Sequence, residues 1–476
     1  MKVSQRGRRT TAVLASEHII LRTDRRAARL ASSLLLVCVL GWLAVLLAHE
    51  RPAANWYAVG WFGWSVALLA AAVLIARGVF LGRPVTPRHA VSAAALLSAG
   101  LFAHFLAFGG WGNALVAASG VALMWPTSAE PQPELLQRVW ALVDATETDP
   151  LAPFAMHSLK SYYFNADGTA AIAYRTRLGF AVVSADPIGD ETRFERLAID
   201  FAVMCRSRGW RIVVLAGAQR YLGLWTRELI GQAMLAVPIG RDVVIDIPHF
   251  SLAGRRHRNL RQAVQRTHNR GVTTQIIHER DLDAGLVGEL SEVLYASHGG
   301  VRTERGFCMN LDGALQGRCP GVRLAIARDS SGRVAAFHRY ASAGGGSEIT
   351  LDAPYRRPDA PNGIDERLSV DMINAAKSCH AQRLSLAFAA FPEIFDATDP
   401  GALQRIAYRL SHLLDPLIRL ESLYRYLRKF HALNERRYVV LCTHHIPGAL
   451  VVFLSLEFVP RRRRLRPAHH RVEAGA

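Results

Sequence analysis

No CxxC pair and no regular cysteine spacing occur in this 476-residue chain; Cys38, Cys205, Cys308, Cys319, Cys379 and Cys442 are scattered along it. That excludes a zinc ribbon and a secreted disulfide framework, and the six read as buried thiols in a reducing compartment. Metal-ligand pairs are scarce too. Cys442, His444 and His445 stand together at the end of a strand pattern with no second pair in sight, so no metal is expected. A glycine-rich pyrophosphate loop of the form R/QxxGxG/A is missing before any helix, and Gly344 to Gly346 match no phosphate-cradling pattern. Acids are absent where charge is densest. GRRHRNLRQAVQRTHNRG, residues 254 to 271, holds six arginines and two histidines and no acidic residue.

The formal charge of +18 exceeds what solubility requires and points to a polyanionic partner or surface. Residues 31 to 48 and 53 to 76 carry no charge and are long enough to cross a hydrocarbon core as helices. A signal peptide is a poor reading of the first, because the region before it is thirty residues long and no small-residue cleavage site comes after it. A third uncharged stretch, 90 to 125, would be about 54 Å long as one helix, against a hydrocarbon thickness of roughly 30 Å. It reads as two passes with GGWGN, Gly109 to Asn113, as the turn, or else as one tilted span. Eight basic residues precede the first span, which places a basic N-terminus (1–30) in the cytoplasm. The chain beyond Trp125 is cytoplasmic if 90 to 125 is a hairpin and outside if it is one span.

After this transmembrane region (31–125, three or four spans) comes a Pro/Glu linker, 126–134, and then alternating strand and helix patterns to about 445. The landmarks recur: Gly168 and Gly332, Asp186 and Asp352, Arg211 and Arg383 stand 164, 166 and 172 residues apart. A nearly constant offset implies two similar α/β halves with mixed sheets, 135–250 and 251–445, although any α/β chain gives strand, helix and strand in succession. Residues 446 to 460 are apolar but short for a span. They read as an interfacial segment, followed by the polybasic run Arg461 to Arg464 that would meet anionic headgroups or trail in solvent.

The acid-free stretch forms an amphipathic helix in which Leu260, Ala263, Val264 and Thr267 share one face. Arg255, Arg256, Arg258, Arg261, Arg266 and Arg270 spread over the rest, a pattern suited to phosphate oxygens of tRNA or lipid, or to a solvated surface. Arg356-Arg357-Pro358-Asp359-Ala360-Pro361-Asn362-Gly363-Ile364-Asp365-Glu366 places acids and arginines on a loop entering a helix. Acids and arginines brought together there suit acyl transfer, which needs a base and donors for a developing oxyanion; a plain turn with an N-cap uses the same residues. Glu304 and Arg305 open ERGF. Glu421 and Arg425, then Arg425 and Arg428 or Lys429, lie one helical turn apart, as an amine-recognising carboxylate beside a phosphate cluster or as a surface ion pair. His298 is a conceivable base or simply an exposed histidine.

The run FSLAGRRHRNLRQAVQRT, with SADPIGD, ERGFCMNLDG, RRPDAPNGIDE, LSLAFAAF and LESLYRYLRKF in collinear order, resembles the catalytic domain of lysylphosphatidylglycerol synthases, the actinobacterial branch especially, over residues 150 to 445. The resemblance implies a tandem acetyltransferase-like fold behind a membrane-embedded N-terminus, in the plasma membrane. It also implies transfer of an aminoacyl group, usually lysyl, from charged tRNA to a glycerol hydroxyl of phosphatidylglycerol, with no cofactor. Such a donor is cytosolic, so the catalytic region is expected in the cytoplasm and 90 to 125 as a hairpin. Within the motifs, Asp365, Glu366, Asn362 and Arg305 are the catalytic candidates. Glu304, Glu421, Arg425, Arg428, Lys429, Arg356 and Arg357 are the substrate-binding ones. The chain departs from the family pattern where His-Ala-Leu-Asn-Glu follows Lys429-Phe430, and at Pro392-Glu393, which bears on the amino acid carried. With so few spans lipid flipping is not expected, and charged tRNA is expected from a separate synthetase. Two other readings remain: a coenzyme A-dependent acyltransferase on a membrane substrate, and a catalytically silent anchored protein that holds RNA or anionic lipid.

Overall fold

The computed structural model describes residues 26–49, 56–106, 108–297, 303–304, 307–308, 310–390, 425–457 and 461–462. His298, Arg305, Gly306, Pro392, Glu393 and Glu421 lie outside them, as do the side chain of Glu304, the first 25 residues and those from 463 onward. The chain falls into two compact units, Met1–Pro131 with Tyr174–Val182 and Glu195–Val213, and Gln132–Ala173 with Val183–Phe194 and Val214–Ala476.

The first unit holds four apolar helices, α1 (Arg26–His49), α2 (Trp56–Phe80), α3 (Pro87–Phe105) and α4 (Gly109–Leu123). The stretch Gly63–Phe80 is, among the described residues, the one helical segment long and apolar enough to cross a membrane. Thr86 caps α3 by accepting from the His89 amide, and Pro87 takes the first helical position, where its missing N–H costs nothing. Residues 90 to 125 do form a helical hairpin, but Gly109 to Asn113 opens α4 instead of making the turn. The glycines serve a close crossing: a Cβ on Gly112 would stand 2.9 Å from the Gly100 carbonyl oxygen of α3, and one on Gly120 would stand 2.7 Å from that of Ala71 in α2.

The second unit contains α5 (Leu136–Ala145) and the strands β1 (Ser161–Phe164) and β4 (Ile188–Gly189). Strands β2 (Ala170–Arg177), β3 (Phe180–Ser184) and β5 (Arg211–Ala218) have residues in both units, and α6 (Phe194–Ser207) lies almost wholly in the first. The remaining elements, in chain order, are α7 (Arg227–Ile230), β6 (Leu235–Asp246), α8 (Arg258–Asn269), β7 (Thr273–His278), α9 (Ala284–Ser297), β8 (Thr303–Glu304), β9 (Arg323–Arg328), β10 (Val334–Ala343), β11 (Glu348–Arg356), α10 (Ile364–Ser378), β12 (Arg383–Ala390), β13 (Leu433–Leu441), α11 (Ile446–Glu457) and β14 (Arg461–Arg462). The sheet runs in the order β5-β13-β6-β12-β11-β10-β9-β7. β11 and β12 are parallel and the pairs around them antiparallel, so this is a mixed α/β sheet.

Strand β10 is buried along its whole length, as a central strand covered on both faces must be. Its Tyr340 packs with Ile364, Leu368 and Met372 of α10, while Phe337 packs with Leu290 and Val293 of α9. The expected face of α8 is the buried one: Leu260, Ala263 and Thr267 are inside and all six arginines outside. Four cysteines are buried, but Cys38 and Cys379 are exposed, so the thiol expectation holds for four positions.

Helix α8 lies against the start of α10. Gly363 caps α10 with φ 96°, a left-handed conformation, and a Cβ there would sit 2.8 Å from the Ala263 carbonyl oxygen. Strain and collision therefore act together. Gly363→Ala is expected to destabilise the chain by more than about 1 kcal/mol, read as a lowered thermal unfolding midpoint of the purified protein; an unchanged midpoint would show that the two helices separate freely.

Candidate functional site

The site grows from one strand and one helix. Side chains at i and i+2 of a strand share a face, so His338 and Tyr340 of β10 both look toward α10. There they meet Asp365 and Ser369, one helical turn apart. His338 Nε2 lies 3.1 Å from Asp365 Oδ1, and His338 Nδ1 lies 3.1 Å from the Tyr340 hydroxyl. Tyr340 in turn is 3.3 Å from Ser369 Oγ, which makes a close hydrogen bond with the Tyr426 hydroxyl. On the outer side Arg356, at the end of β11, donates from Nη1 to Asp365 Oδ2 at 3.1 Å.

Burial pushes the Asp365 carboxyl up, but the hydrogen bond and field of His338, together with Arg356, outweigh it and hold the group below the ordinary carboxylate value. Asp365 is therefore ionised and can only accept hydrogen bonds. That fixes the first link, in which His338 Nε2–H donates to Asp365, and the contacts of Nδ1 with Tyr340, Tyr340 with Ser369 and Ser369 with Tyr426 carry the chain inward. Burial raises the pKa of both tyrosines, Tyr340 and Tyr426, which keeps their protons in place. His338 is 0 % exposed and Asp365 22 %, so the carboxylate is the end of the chain open to solvent.

The other expected residues fall around this centre. Glu366 is buried and paired with Lys429, which binds one catalytic candidate to one substrate-binding candidate. Asn362 is exposed on the loop. Arg357 points away from Arg356, donating to the Val334 carbonyl at 2.9 Å and to Glu292 at 2.8 Å. Arg425 and Arg428 are exposed near Tyr426 in sequence. On the basic helix and the loop before it, Arg256 donates to the His431 carbonyl at 2.8 Å and Arg261 to the Leu252 carbonyl at 2.5 Å, so these two hold backbone. Arg255, Arg258, Arg266 and Arg270 stay on the exposed surface.

Sequence reasoning missed His338, Tyr340, Ser369 and Tyr426. It also missed two buried guanidinium clusters. Arg339, on the face of β10 opposite His338, forks onto Glu279 at 3.1 and 3.0 Å and reaches Asp352 at 2.9 Å. Burial lifts the Asp352 carboxyl to about 6 against the pull of Arg339. Arg437 of β13 binds Asp149, Asp186 and Asp242 at 2.8, 2.7 and 2.7 Å. The signal available in the sequence was the polar pair at i and i+2 inside the apolar run VAAFHRYASA.

The chain shares its fold with solved C-terminal domains. It superposes on the C-terminal domain, DUF2156, of an Agrobacterium fabrum protein with a TM-score of 0.59 and 22% identity, covering 70% of this chain and 99% of that one. Against L-PGS from Bacillus licheniformis the TM-score is 0.58 with 18% identity, over 69% and 97% of the two chains. Residues 140–441 match the family described as phosphatidylglycerol lysyltransferase, C-terminal, and the chain belongs to that family. It is 60% identical to the MprF-like domain protein Rv1619 of Mycobacterium tuberculosis over 94% of this chain and 93% of that protein. It is 30% identical to the lysylphosphatidylglycerol biosynthesis bifunctional protein LysX of Mycobacterium avium over 68% of this chain, spanning 28% of the LysX length.

Proposed function

We propose that the chain is a membrane-bound aminoacyltransferase that moves an aminoacyl group, lysyl in the family's usual case, from charged tRNA to a glycerol hydroxyl of phosphatidylglycerol. The observation that carries this reading is the ionised Asp365, held between buried His338 and half-exposed Arg356. In the reaction the lipid hydroxyl oxygen attacks the ester carbonyl, a carbon–oxygen bond to the lipid forms, and the one to the tRNA ribose breaks. The hydroxyl proton ends on the ribose oxygen. No cofactor enters the balance.

Asp365 accepts the hydrogen bond of the attacking hydroxyl, and His338 fixes the carboxylate's orientation. Arg356, 50 % exposed, offers a donor for the carbonyl oxygen as it gains charge or for a substrate phosphate. The Glu366–Lys429 pair positions the first turn of α10, and Glu304, Arg305, Glu421, Arg425 and Arg428 remain candidates for the aminoacyl and phosphate ends. The two halves, 135–250 and 251–445, are read as acetyltransferase-like repeats. Helices α1 to α4 are read as a multi-pass anchor, because large apolar side chains such as Leu34, Val37, Trp42, Leu101, Phe102 and Trp111 are exposed on them. The apolar α11, about 18 Å long, is read as lying on the bilayer surface.

The test is direct. Membranes containing the protein, given radiolabelled lysyl-tRNA or alanyl-tRNA, should yield label in the lipid extract that RNase treatment of the donor abolishes; no label from either donor would discard the proposal. The exposed arginines of α8 give a second expectation. Arg258→Glu with Arg266→Glu should raise the KM for charged tRNA and flatten its salt dependence by about one unit of log–log slope per lost phosphate contact. Initial rates between 50 and 200 mM salt measure it, and an unaltered slope would remove α8 from tRNA binding.

A further inference from the structure

In the first unit, the end of α2, the turn after it, the end of α4 and the β2–β3 turn enclose a cleft of about 230 Å³. That is several times the roughly 30 Å³ of one liquid water. Arg77 and Arg83 line it. Arg83 Nη1 donates to the Met124 carbonyl at 2.8 Å, which fixes one guanidinium at the rim. The third cation, Arg211, sits close enough for its charge to be felt at Arg83 and for that of Arg77 to be felt at Arg211. Backbone holds this cluster together: a Cβ on Gly209 would stand 2.6 Å from the Gly82 carbonyl oxygen and 2.9 Å from Arg83 Cα.

Burial first, and then repulsion from Arg211 and Arg77, lowers the pKa of Arg83. Two arginines at the cleft and a third just outside it, stacked over the Phe180 ring at 5.2 Å, repel one another, and an anion in the cleft reverses the sign of the interaction. The remaining wall is apolar, with Leu74, Val121 and Leu178 facing the same space. Trp125 lies at its edge and is half exposed, as tryptophans are where a membrane meets water. A soluble oxyanion would use the arginines and leave that wall idle; an amphiphile uses both.

We propose that this cleft binds the phosphodiester headgroup of an anionic phospholipid, with Arg77 and Arg83 at the phosphate, the field of nearby Arg211 reinforcing them, and the start of the acyl chains along Leu74, Val121 and Leu178. The inference rests on reading α1 to α4 as membrane helices, and it is separate from the transfer chemistry at Asp365.

Native mass spectrometry of the full chain in neutral detergent tests it, with dihexanoyl phosphatidylglycerol, dihexanoyl phosphatidylcholine, glycerol 3-phosphate and inorganic phosphate as probes. The expected result is phosphatidylglycerol retained at least tenfold more tightly than any of the other three, with the arginine variants assigning that retention to the cleft rather than to the Asp365 site. Arg77→Gln with Arg211→Gln should weaken that binding tenfold or more. Arg77 is exposed, so Arg77→Gln alone keeps the test open if the double variant unfolds, with a several-fold loss expected. Unchanged affinity in these variants, or equal retention of phosphatidylcholine, would overturn the site. Glycerol 3-phosphate or inorganic phosphate binding as tightly as the lipid would assign the arginines to a soluble phosphate and overturn the lipid. The readout is binding, so even a chain inactive in lipid labelling either retains the lipid or fails to.

Discussion

Arg437→Leu is expected to destabilise the second unit by about 3–5 kcal/mol, the penalty for stranding buried charges whose partner has been removed. Arg437 is 1 % exposed and meets Asp149, Asp186 and Asp242, which are almost fully buried as well. Asp149 Oδ2 and Asp242 Oδ1 already have no hydrogen-bond partner, so the guanidinium is their main compensation. Without it three carboxylates share one dry space. Thermal unfolding followed by circular dichroism should show a midpoint lower by roughly 6 °C or more; a shift within 2 °C would mean that water reaches the cluster and screens it.

The pH dependence has a definite sign. Burial, opposed by Arg437 and aided by Asp149, lifts Asp186 to about 7, above its unfolded value of about 3.9. An acid with a raised folded pKa favours folding when protonated. Its contribution is complete below about pH 4 and is lost as pH rises through about 7. The Arg437→Leu defect should therefore ease at pH 5 and deepen at pH 8. Adding Asp186→Asn should recover part of the lost stability at pH 8, where one fewer carboxylate must ionise in the cluster.

Asp365→Asn carries the largest expected loss of activity, 10²- to 10⁴-fold in kcat for lipid labelling, the range for removing a group that handles a proton in the transition state. The amide keeps the shape and loses the charge, so the fold should persist. His338→Phe, which keeps a ring but no donor, separates positioning from chemistry. It should lower the rate on the order of 10²-fold by releasing the carboxylate. It should also move the acid limb of the pH–rate profile upward, because the hydrogen bond that holds Asp365 below its ordinary value is gone. A profile with an unmoved acid limb would remove His338 from the site and leave it a core residue.

Much of this architecture could be read from the chain. The alternation of strand and helix around the Gly332 and Arg383 landmarks and the buried face of α8 rest on local periodicity, which tertiary packing here reinforces. So does the loop from Arg356 to Glu366, whose charges converge because a strand end and a helix start meet there. Farther pairings were not legible. Arg437 draws its aspartates from positions 288, 251 and 195 residues away, and no spacing rule reaches so far. Arg356 and Arg357 look equivalent as a dipeptide, yet consecutive residues at the end of a strand face opposite sides, and only the first meets Asp365. His338 and Tyr340 were hidden by their setting, since a strand so apolar reads as core.

Strand β10 bears unlike loads on its two sides. One holds the imidazole that aims Asp365; the other is clamped through Arg339 to the carboxylates of Glu279 and Asp352. A ribbon bolted from behind leaves the tool mounted on its front no play. Loosening the bolt, at a residue away from the carboxylate it steadies, would strand two buried acids and slacken the imidazole in the same stroke.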